Sequence, residues 1–134
     1  MDVLVSLPVH GRELSAACKL LLELLSDFYA VVLREHPLPP LYQTNMRYQP
    51  EPRAVTGEGP EDWTDPWTAY ERGWIDCDDA VLWRLAELKA QGIAATAQVL
   101  RQTNPETGRF HCRVRLPSGH VEDPALLFVQ RKGT

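Results

Sequence analysis

The sequence predicts a single α+β domain in which two helices pack with a small antiparallel sheet. Apolar residues recur at helical spacing in two segments, at 12–35 and 77–91, and they alternate with polar residues near the carboxyl terminus. Most of the eleven prolines fall between Pro37 and Pro66, so a long loop separates the two helices. The 134 residues suffice for one domain of ordinary size and are too few for two.

The composition is near the average for a globular protein and argues against several classes of function. The formal net charge of −4 disfavours binding to nucleic acid or anionic lipid, because both require a clustered basic surface. No uncharged apolar run approaches the roughly 20 residues of a membrane span, and the amino terminus does not resemble an export signal. We therefore expect a cytoplasmic protein with three reduced cysteines and no nucleic-acid or membrane partner.

The first helix, at residues 12–35, has a wide apolar stripe that extends onto Leu20, Leu24, Tyr29 and Val31. This width predicts that the domain covers the helix on more than one side. Pro37 ends the helix, because the residue before a proline is forced out of the α region.

The many prolines at residues 37–72 predict a long, mostly irregular loop, and this loop is rich in aromatic side chains. A long loop in a small domain is commonly functional, and a linker without a role would carry fewer large rings. We expect the loop to line a substrate groove with Tyr48, Trp63 and Trp67.

The remaining segment, at 73–128, combines the second helix with two or three strands. The helix begins at Asp76 or Cys77 and runs to Gln91, and Gly92 suits the left-handed position after it. The predicted strands are 94–101, 110–116 and a short one at 120–124.

Cys77 is predicted at the first position of this helix, where backbone N–H groups and the helix dipole favour a thiolate. Asp76 suits the N-cap, and Asp79 lies three residues later, where a capping box has Glu or Gln. The carboxylates of Asp76, Asp78 and Asp79 favour the protonated thiol instead. A cationic partner would decide the balance in favour of the thiolate.

His111 is the candidate partner, because it lies on the polar face of its strand while Cys112 faces the core. A neutral imidazole near Cys77 can accept the thiol proton, and a third group must then orient the ring. Cys112, in contrast, is expected to be inert.

The turn at 117–119 decides whether Asp123 is that third group. A two-residue loop pairs position 114 with 123 and directs Asp123 away from His111. A three-residue loop pairs position 113 with 123 and places the two side chains on one face. Proline and glycine at the first and third loop positions suit a type I turn with a G1 bulge, which favours the three-residue loop.

Several motifs around these residues match a known superfamily. They are Gly73–Asp79, Trp83–Leu88, Gly92–Ala95, His111 with Val114 and Gly119, and Glu122–Pro124. In this order they resemble the transglutaminase-like superfamily of papain-like cysteine peptidases. The segments Tyr48–Pro52 and Glu61–Trp63 are similar to short members found in phages and phage-derived gene clusters. The resemblance covers about residues 40–128.

This resemblance implies a papain-like core, with the cysteine helix packed on the sheet and an extra helix at 12–35. It also implies thiol acyl transfer on a peptide or protein amide without a cofactor. Cys77 would be the nucleophile, His111 the base and then the acid, and Asp123 the residue that orients the imidazole. We expect a peptidase or hydrolase. The alternatives are a transglutaminase or deamidase, and a silent structural or assembly protein of a phage-like particle.

Acyl transfer also requires donors for the oxyanion of the tetrahedral intermediate. The backbone N–H of Cys77 is one donor. Candidates for the second are the side chains of Gln43, Asn45 and Trp74, with the indoles of Trp63 and Trp67 as further options.

A zinc site is the main chemical alternative, because suitable ligand types occur at Cys77, His111, Cys112, His120 and Asp123. However, adjacent strand residues such as His111 and Cys112 point to opposite faces of the sheet. The sequence also lacks the closely paired cysteines or histidines of common zinc sites. We therefore expect no metal.

Overall fold

The structure, a computed structural model, describes residues 2–5, 12–49, 61–101 and 110–132. These ranges contain helices and small sheets in a mixed arrangement, which confirms the α+β class. The helices are α1 (Arg12–Glu35), α2 (Pro66–Arg72), α3 (Cys77–Ala90) and α4 (Pro124–Lys132). The strands are β1 (Asp2–Val5), β2 (Arg47–Tyr48), β3 (Glu61–Thr64), β4 (Trp74–Ile75), β5 (Thr96–Arg101), β6 (Phe110–Arg115) and β7 (Val121–Glu122).

Helix α3 lies at the centre of the domain and is buried along most of its length. On one side it packs against α1 and the sheet of β5 and β6, with Leu22, Leu85 and Val114 in the shared core. On another side it packs against α4, where Trp83 and Phe128 belong to a second core. The predicted bounds of both long helices agree with the structure to within about one residue.

The described residues cover only one side of α1, so the expectation of cover on several sides is not met. Leu20, Leu24, Phe28 and Val31 each remain more than half exposed. The wide apolar stripe therefore contains more residues than the core of this domain uses.

The three-stranded sheet has the order β5-β6-β7, and all its strand pairs are antiparallel. Val114 pairs with Glu122, which is the register of the predicted three-residue loop. The Leu116 N–H donates to the His120 carbonyl over 2.8 Å, and Gly119 has a φ of 92°. Glycine adopts this left-handed conformation without the strain that a side chain would cause.

The predicted loop at 37–72 contains more regular structure than expected. It holds a short 3-10 helix (Leu41–Gln43), β2, β3 and α2, while residues 50–60 lie outside the described ranges. Strand β3 pairs with β1, and β2 runs parallel to β4. Helix α2 has a signal that the prediction overlooked: Asp65 as N-cap, Pro66 at the first position and Gly73 after the end.

Helix α4 replaces the end of the predicted third strand, and β7 stops at Glu122. Asp123 accepts a hydrogen bond from the Leu126 N–H over 3.1 Å, as an N-cap residue does. Pro124 occupies the first helical position, which proline tolerates because the N–H it lacks would have no partner there.

In the part of the chain that the structure describes, no helix combines the length and the apolar character that crossing a membrane requires.

Candidate active site

The structure brings together the three side chains that the sequence singles out. The Cys77 Sγ atom lies 3.6 Å from His111 Nδ1, and His111 Nε2 lies 2.5 Å from Asp123 Oδ2. The imidazole therefore stands between the sulfur and the carboxylate, with one ring nitrogen directed at each. This is the order of groups in a cysteine–histidine–aspartate triad.

Cys77 is fixed by the start of α3. The Asp76 side chain accepts a hydrogen bond from the Asp79 N–H over 2.9 Å, which confirms the predicted N-cap. Ile75, the last residue of β4, is fully buried and holds the preceding backbone against β2. These contacts place the sulfur at the end of the helix where unpaired N–H groups and the positive dipole are located.

Strand β6 supplies the other side of the site. The Cys112 backbone N–H donates to the Cys77 sulfur over 3.3 Å, and the Cys112 carbonyl oxygen lies 3.7 Å from that sulfur. The Cys77 side chain therefore lies against the strand at positions 111–112, which keeps it beside the His111 ring.

Asp123 has two roles, and each uses a different carboxylate oxygen. Oδ1 caps α4 through Leu126, and Oδ2 accepts from His111. Because the cap holds the carboxylate, it also holds the histidine ring in one orientation.

The pKa values favour a thiolate–imidazolium pair at neutral pH. Hydrogen bonding with Cys112 and contacts with His111 lower the pKa of Cys77 to about 5 despite burial. The contact with Cys77 and the hydrogen bond to Asp123 raise the pKa of His111 to about 9. Between these values Cys77 is ionised while His111 is protonated, as nucleophilic catalysis by cysteine requires.

The aspartates at the start of α3 oppose the thiolate less than their number implies. Burial raises the pKa of Asp79 to about 6, and its carboxylate accepts from the Thr64 N–H and from Arg72. Burial and the nearby Asp79 and Asp78 hold the pKa of Asp76 well above its ordinary value. The Arg72 cation, which is paired with Asp79, offsets part of the negative charge near Cys77.

Cys112 faces the core as predicted, but the sequence did not reveal that it also contacts the site. Its sulfur lies 3.0 Å from Asp78 Oδ1, and only 1% of the residue is exposed. The hydrogen bond with Cys77 and burial raise the pKa of Cys112 well above its ordinary value. Strand alternation shows that Cys112 points inward, but it cannot show which helix end lies there.

The ligand-type atoms of Cys77, Asp78 and Cys112 lie within 4.8 Å of one another. This group contains Cys112 without its neighbour His111, in keeping with the opposite faces of a strand. A metal ion at these atoms would have to displace the Cys112 proton, whose removal the raised pKa makes costly.

The predicted oxyanion donors lie in two different settings. Gln43 and Asn45 are exposed around the 3-10 helix, and Trp74 lies under the Arg72 guanidinium at 3.5 Å. Gln49, which was not among the candidates, donates its backbone N–H to the Ile75 carbonyl over 2.9 Å. That hydrogen bond places Gln49 beside the chain that leads into Cys77.

The predicted groove residues are also divided. Trp63 is 1% exposed within the core, so it does not line a groove, because packing with α1 and α3 covers its ring. Tyr48 is half-buried and pairs with Ile75, close to the start of α3.

Trp67 lies against α1. Its indole N–H donates to the His36 carbonyl over 2.9 Å, and its ring packs edge-on against Tyr29. Together with Phe28 and Glu71 it lines a cavity of about 350 Å³ between α1 and α2.

Opposite charges three residues apart on a helix, such as Arg84 and Glu87 on α3, commonly form a surface ion pair of small effect. Here the pair is not at the surface, because the two side chains are only 19% and 10% exposed. Arg84 also makes two hydrogen bonds to Glu122, and the Tyr42 hydroxyl donates to the same carboxylate. The cluster attaches β7 to α3 and therefore fixes the strand that precedes Asp123.

No family model, curated protein or solved structure matches this chain. The likeness to transglutaminase-like proteins therefore stays a resemblance of motifs.

Proposed function

We propose that the protein is a thiol hydrolase that cleaves an amide bond in a peptide or protein. The observation that carries this proposal is the continuous contact from Cys77 through His111 to Asp123. The transglutaminase-like motifs and the pKa values of the pair support the same assignment. The chemistry requires no metal and no organic cofactor.

The reaction proceeds through an acyl-enzyme. The Cys77 thiolate attacks the amide carbonyl carbon, and the imidazolium of His111 donates its proton to the leaving amine as the C–N bond breaks. Neutral His111 then takes a proton from water, and the resulting hydroxide attacks the thioester carbon. The C–S bond breaks, the acid product departs, and Cys77 is again a thiolate. Asp123 stabilises the imidazolium in the steps that form it.

The helix start supplies the first oxyanion donor, the Cys77 backbone N–H. For the second donor, Gln49 joins Gln43 and Asn45 as a candidate, because its backbone pairs with Ile75 beside the site. Tyr48 precedes Gln49 and is the groove candidate with the same placement.

Cleavage of fluorogenic peptide amides from a mixed-sequence library provides a direct test. The wild-type chain is expected to turn over a subset of the library, and Cys77→Ala is expected to abolish that turnover. Cys18→Ala is the matched control, because Cys18 is a buried thiol of the core on α1. Turnover that survives in Cys77→Ala would exclude the thiol mechanism.

Transglutaminase and deamidase activities are variants of the same proposal, since both pass through a thioester at Cys77. A transglutaminase transfers the acyl group to an amine, and a deamidase releases ammonia from a side-chain amide. Offering a glutamine peptide with and without a primary amine separates these reactions by product mass.

A second candidate is a silent structural or assembly protein of a phage-like particle. The exposed apolar residues on α1 favour it, because an apolar helix face of this kind suits a protein contact. In that case the protein resides in a particle and not free in the cytoplasm. It would show no turnover on the library, and Cys77 would react with alkylating reagents no faster than Cys18.

A further inference from the structure

The surroundings of Cys77 include a second thiol that the proposed hydrolysis does not use as a nucleophile. We propose that Cys77 is a site of reversible oxidation by peroxide, with Cys112 as the thiol that closes a disulfide and Asp78 as the base that assists it. This proposal rests on the reactive Cys77 thiolate of the proposed function and does not require that the protein cleave amides.

The two sulfurs are placed for this reaction. They lie within 4.8 Å of each other, and the Cys112 backbone N–H holds the Cys77 sulfur at 3.3 Å. A disulfide needs about 2.05 Å between sulfurs, so the pair must approach by less than about 3 Å.

The Asp78 carboxylate gives Cys112 a means of becoming nucleophilic. Its Oδ1 atom lies 3.0 Å from the Cys112 sulfur and can accept the thiol proton as that sulfur attacks. A buried cysteine with a raised pKa would otherwise attack slowly, because the thiolate is the reactive form.

The first step is a two-electron oxidation of Cys77 with hydrogen peroxide as the oxidant. The thiolate sulfur attacks one peroxide oxygen, the O–O bond breaks, and the hydroxide that leaves takes the proton of His111 to form water. Cys77 is then a sulfenic acid, and His111 is neutral.

The second step closes the disulfide. The Cys112 sulfur attacks the Cys77 sulfur, the S–O bond breaks, and the Cys112 proton passes through Asp78 to the departing hydroxide. The sum of both steps converts two thiols and one peroxide into one disulfide and two waters. The disulfide removes the nucleophile and protects it, because a sulfenic acid without a partner thiol proceeds to irreversible sulfinic acid.

The test treats the folded full-length chain with hydrogen peroxide in the presence of a metal chelator. Mass spectrometry of the intact chain is expected to show a loss of about 2 Da, and peptide mapping is expected to link Cys77 to Cys112. Dithiothreitol should restore both thiols. A wild-type product that carries sulfinic acid at Cys77 and no Cys77–Cys112 link would overturn the proposal.

Variants separate the roles of the three residues. In Cys112→Ala and Cys112→Ser, peroxide should oxidise Cys77 to the sulfinic acid, which dithiothreitol does not reduce. Circular dichroism should show that both variants keep the wild-type fold. Asp78→Asn should form the sulfenic acid at the wild-type rate, measured with dimedone, but close the disulfide at least tenfold more slowly. Cys18→Ala should form the link as the wild type does.

The same measurements distinguish the failure of this proposal from that of the proposed function. Disulfide formation in a chain that cleaves no amide would leave this proposal intact and remove the hydrolase. Oxidation of Cys77 without the link would remove only this proposal. Oxidation of Cys77 no faster than that of Cys18 would remove the reactive thiolate on which both depend.

Discussion

Glu122 and Asp123 are consecutive carboxylates at the end of β7, yet they belong to two different charge networks. Glu122 accepts from Arg84 and Tyr42 in a cluster that attaches the strand to α3. Asp123 accepts from His111, whose other ring nitrogen faces Cys77. The first network joins a guanidinium, a carboxylate and a tyrosine hydroxyl. The second network ends on the Cys77 thiol, which can give up or receive a proton.

The pKa values express this difference. In the first network, burial and the hydrogen bond to Glu122 raise the pKa of Tyr42 beyond the ordinary range. Although partial burial opposes it, the hydrogen bonds that Arg84 donates to Glu122 and Glu87 also raise the pKa of Arg84. Neither group titrates near neutral pH. Cys77 and His111, with pKa values of about 5 and about 9, change charge on either side of neutrality. One network holds the fold, and the other can perform proton transfer.

Replacing the Asp123 carboxylate by an amide tests whether the two networks are separate. Asp123→Asn is expected to lower amide turnover about 10³-fold or more, because the amide does not stabilise an imidazolium. Asparagine is as good an N-cap as aspartate, so α4 should persist. Steady-state turnover and circular dichroism measure both effects.

Glu122→Gln is the matched control one residue away. It should lower stability while the rate of Cys77 alkylation at neutral pH stays within about twofold of wild type, since the hydrogen bonds of Glu122 are to Arg84 and Tyr42. Equal losses of turnover in the two variants would show that the networks are not separate.

The cluster of Arg84 with Glu87 and Glu122 is expected to contribute to the stability of the fold. Arg84→Met leaves Glu87 and Glu122 largely buried without their cation, which should lower the free energy of unfolding by about 3 kcal/mol. Urea unfolding followed by tryptophan fluorescence measures it. A loss below about 1 kcal/mol would mean that the cluster behaves as an ordinary surface ion pair.

The Cys112 thiol is expected to have a smaller effect, on the reactivity of Cys77. Cys112→Ala removes the hydrogen bond that contributes most to the lowered pKa of Cys77, so the thiolate should form at higher pH. The alkylation rate at pH 6 should fall severalfold, while the rate at pH 9 should change little. An unchanged rate at pH 6 would show that Cys112 does not stabilise the thiolate.

The sequence predicts those parts of the fold and site that depend on local signals. Periodicity places α1 and α3, a cap residue places Cys77 at a helix start, and the turn at 117–119 sets the register that brings Asp123 to His111. Each of these depends on residues within a few positions of one another.

The missed features depend on contacts between distant segments. Strands β2 and β4 have two residues each and carry no periodicity of their own. The hydrogen bonds of Arg84 join residues 38 positions apart, and the approach of Cys112 to Cys77 depends on how α3 lies on the sheet. Only α2 and α4 had an overlooked local signal, an aspartate followed by proline at the first helical position.

The proposed chemistry requires that Cys77 is a thiolate paired with a protonated His111 at neutral pH. The most direct test measures the iodoacetamide alkylation rate of each cysteine in the folded chain from pH 4 to pH 10. Because the thiolate is the reactive form, Cys77 should react with a midpoint near its pKa of about 5 and far faster than buried Cys18 at pH 7. A midpoint near the ordinary cysteine value, with Cys77 and Cys18 equally reactive at pH 7, would contradict the ion pair.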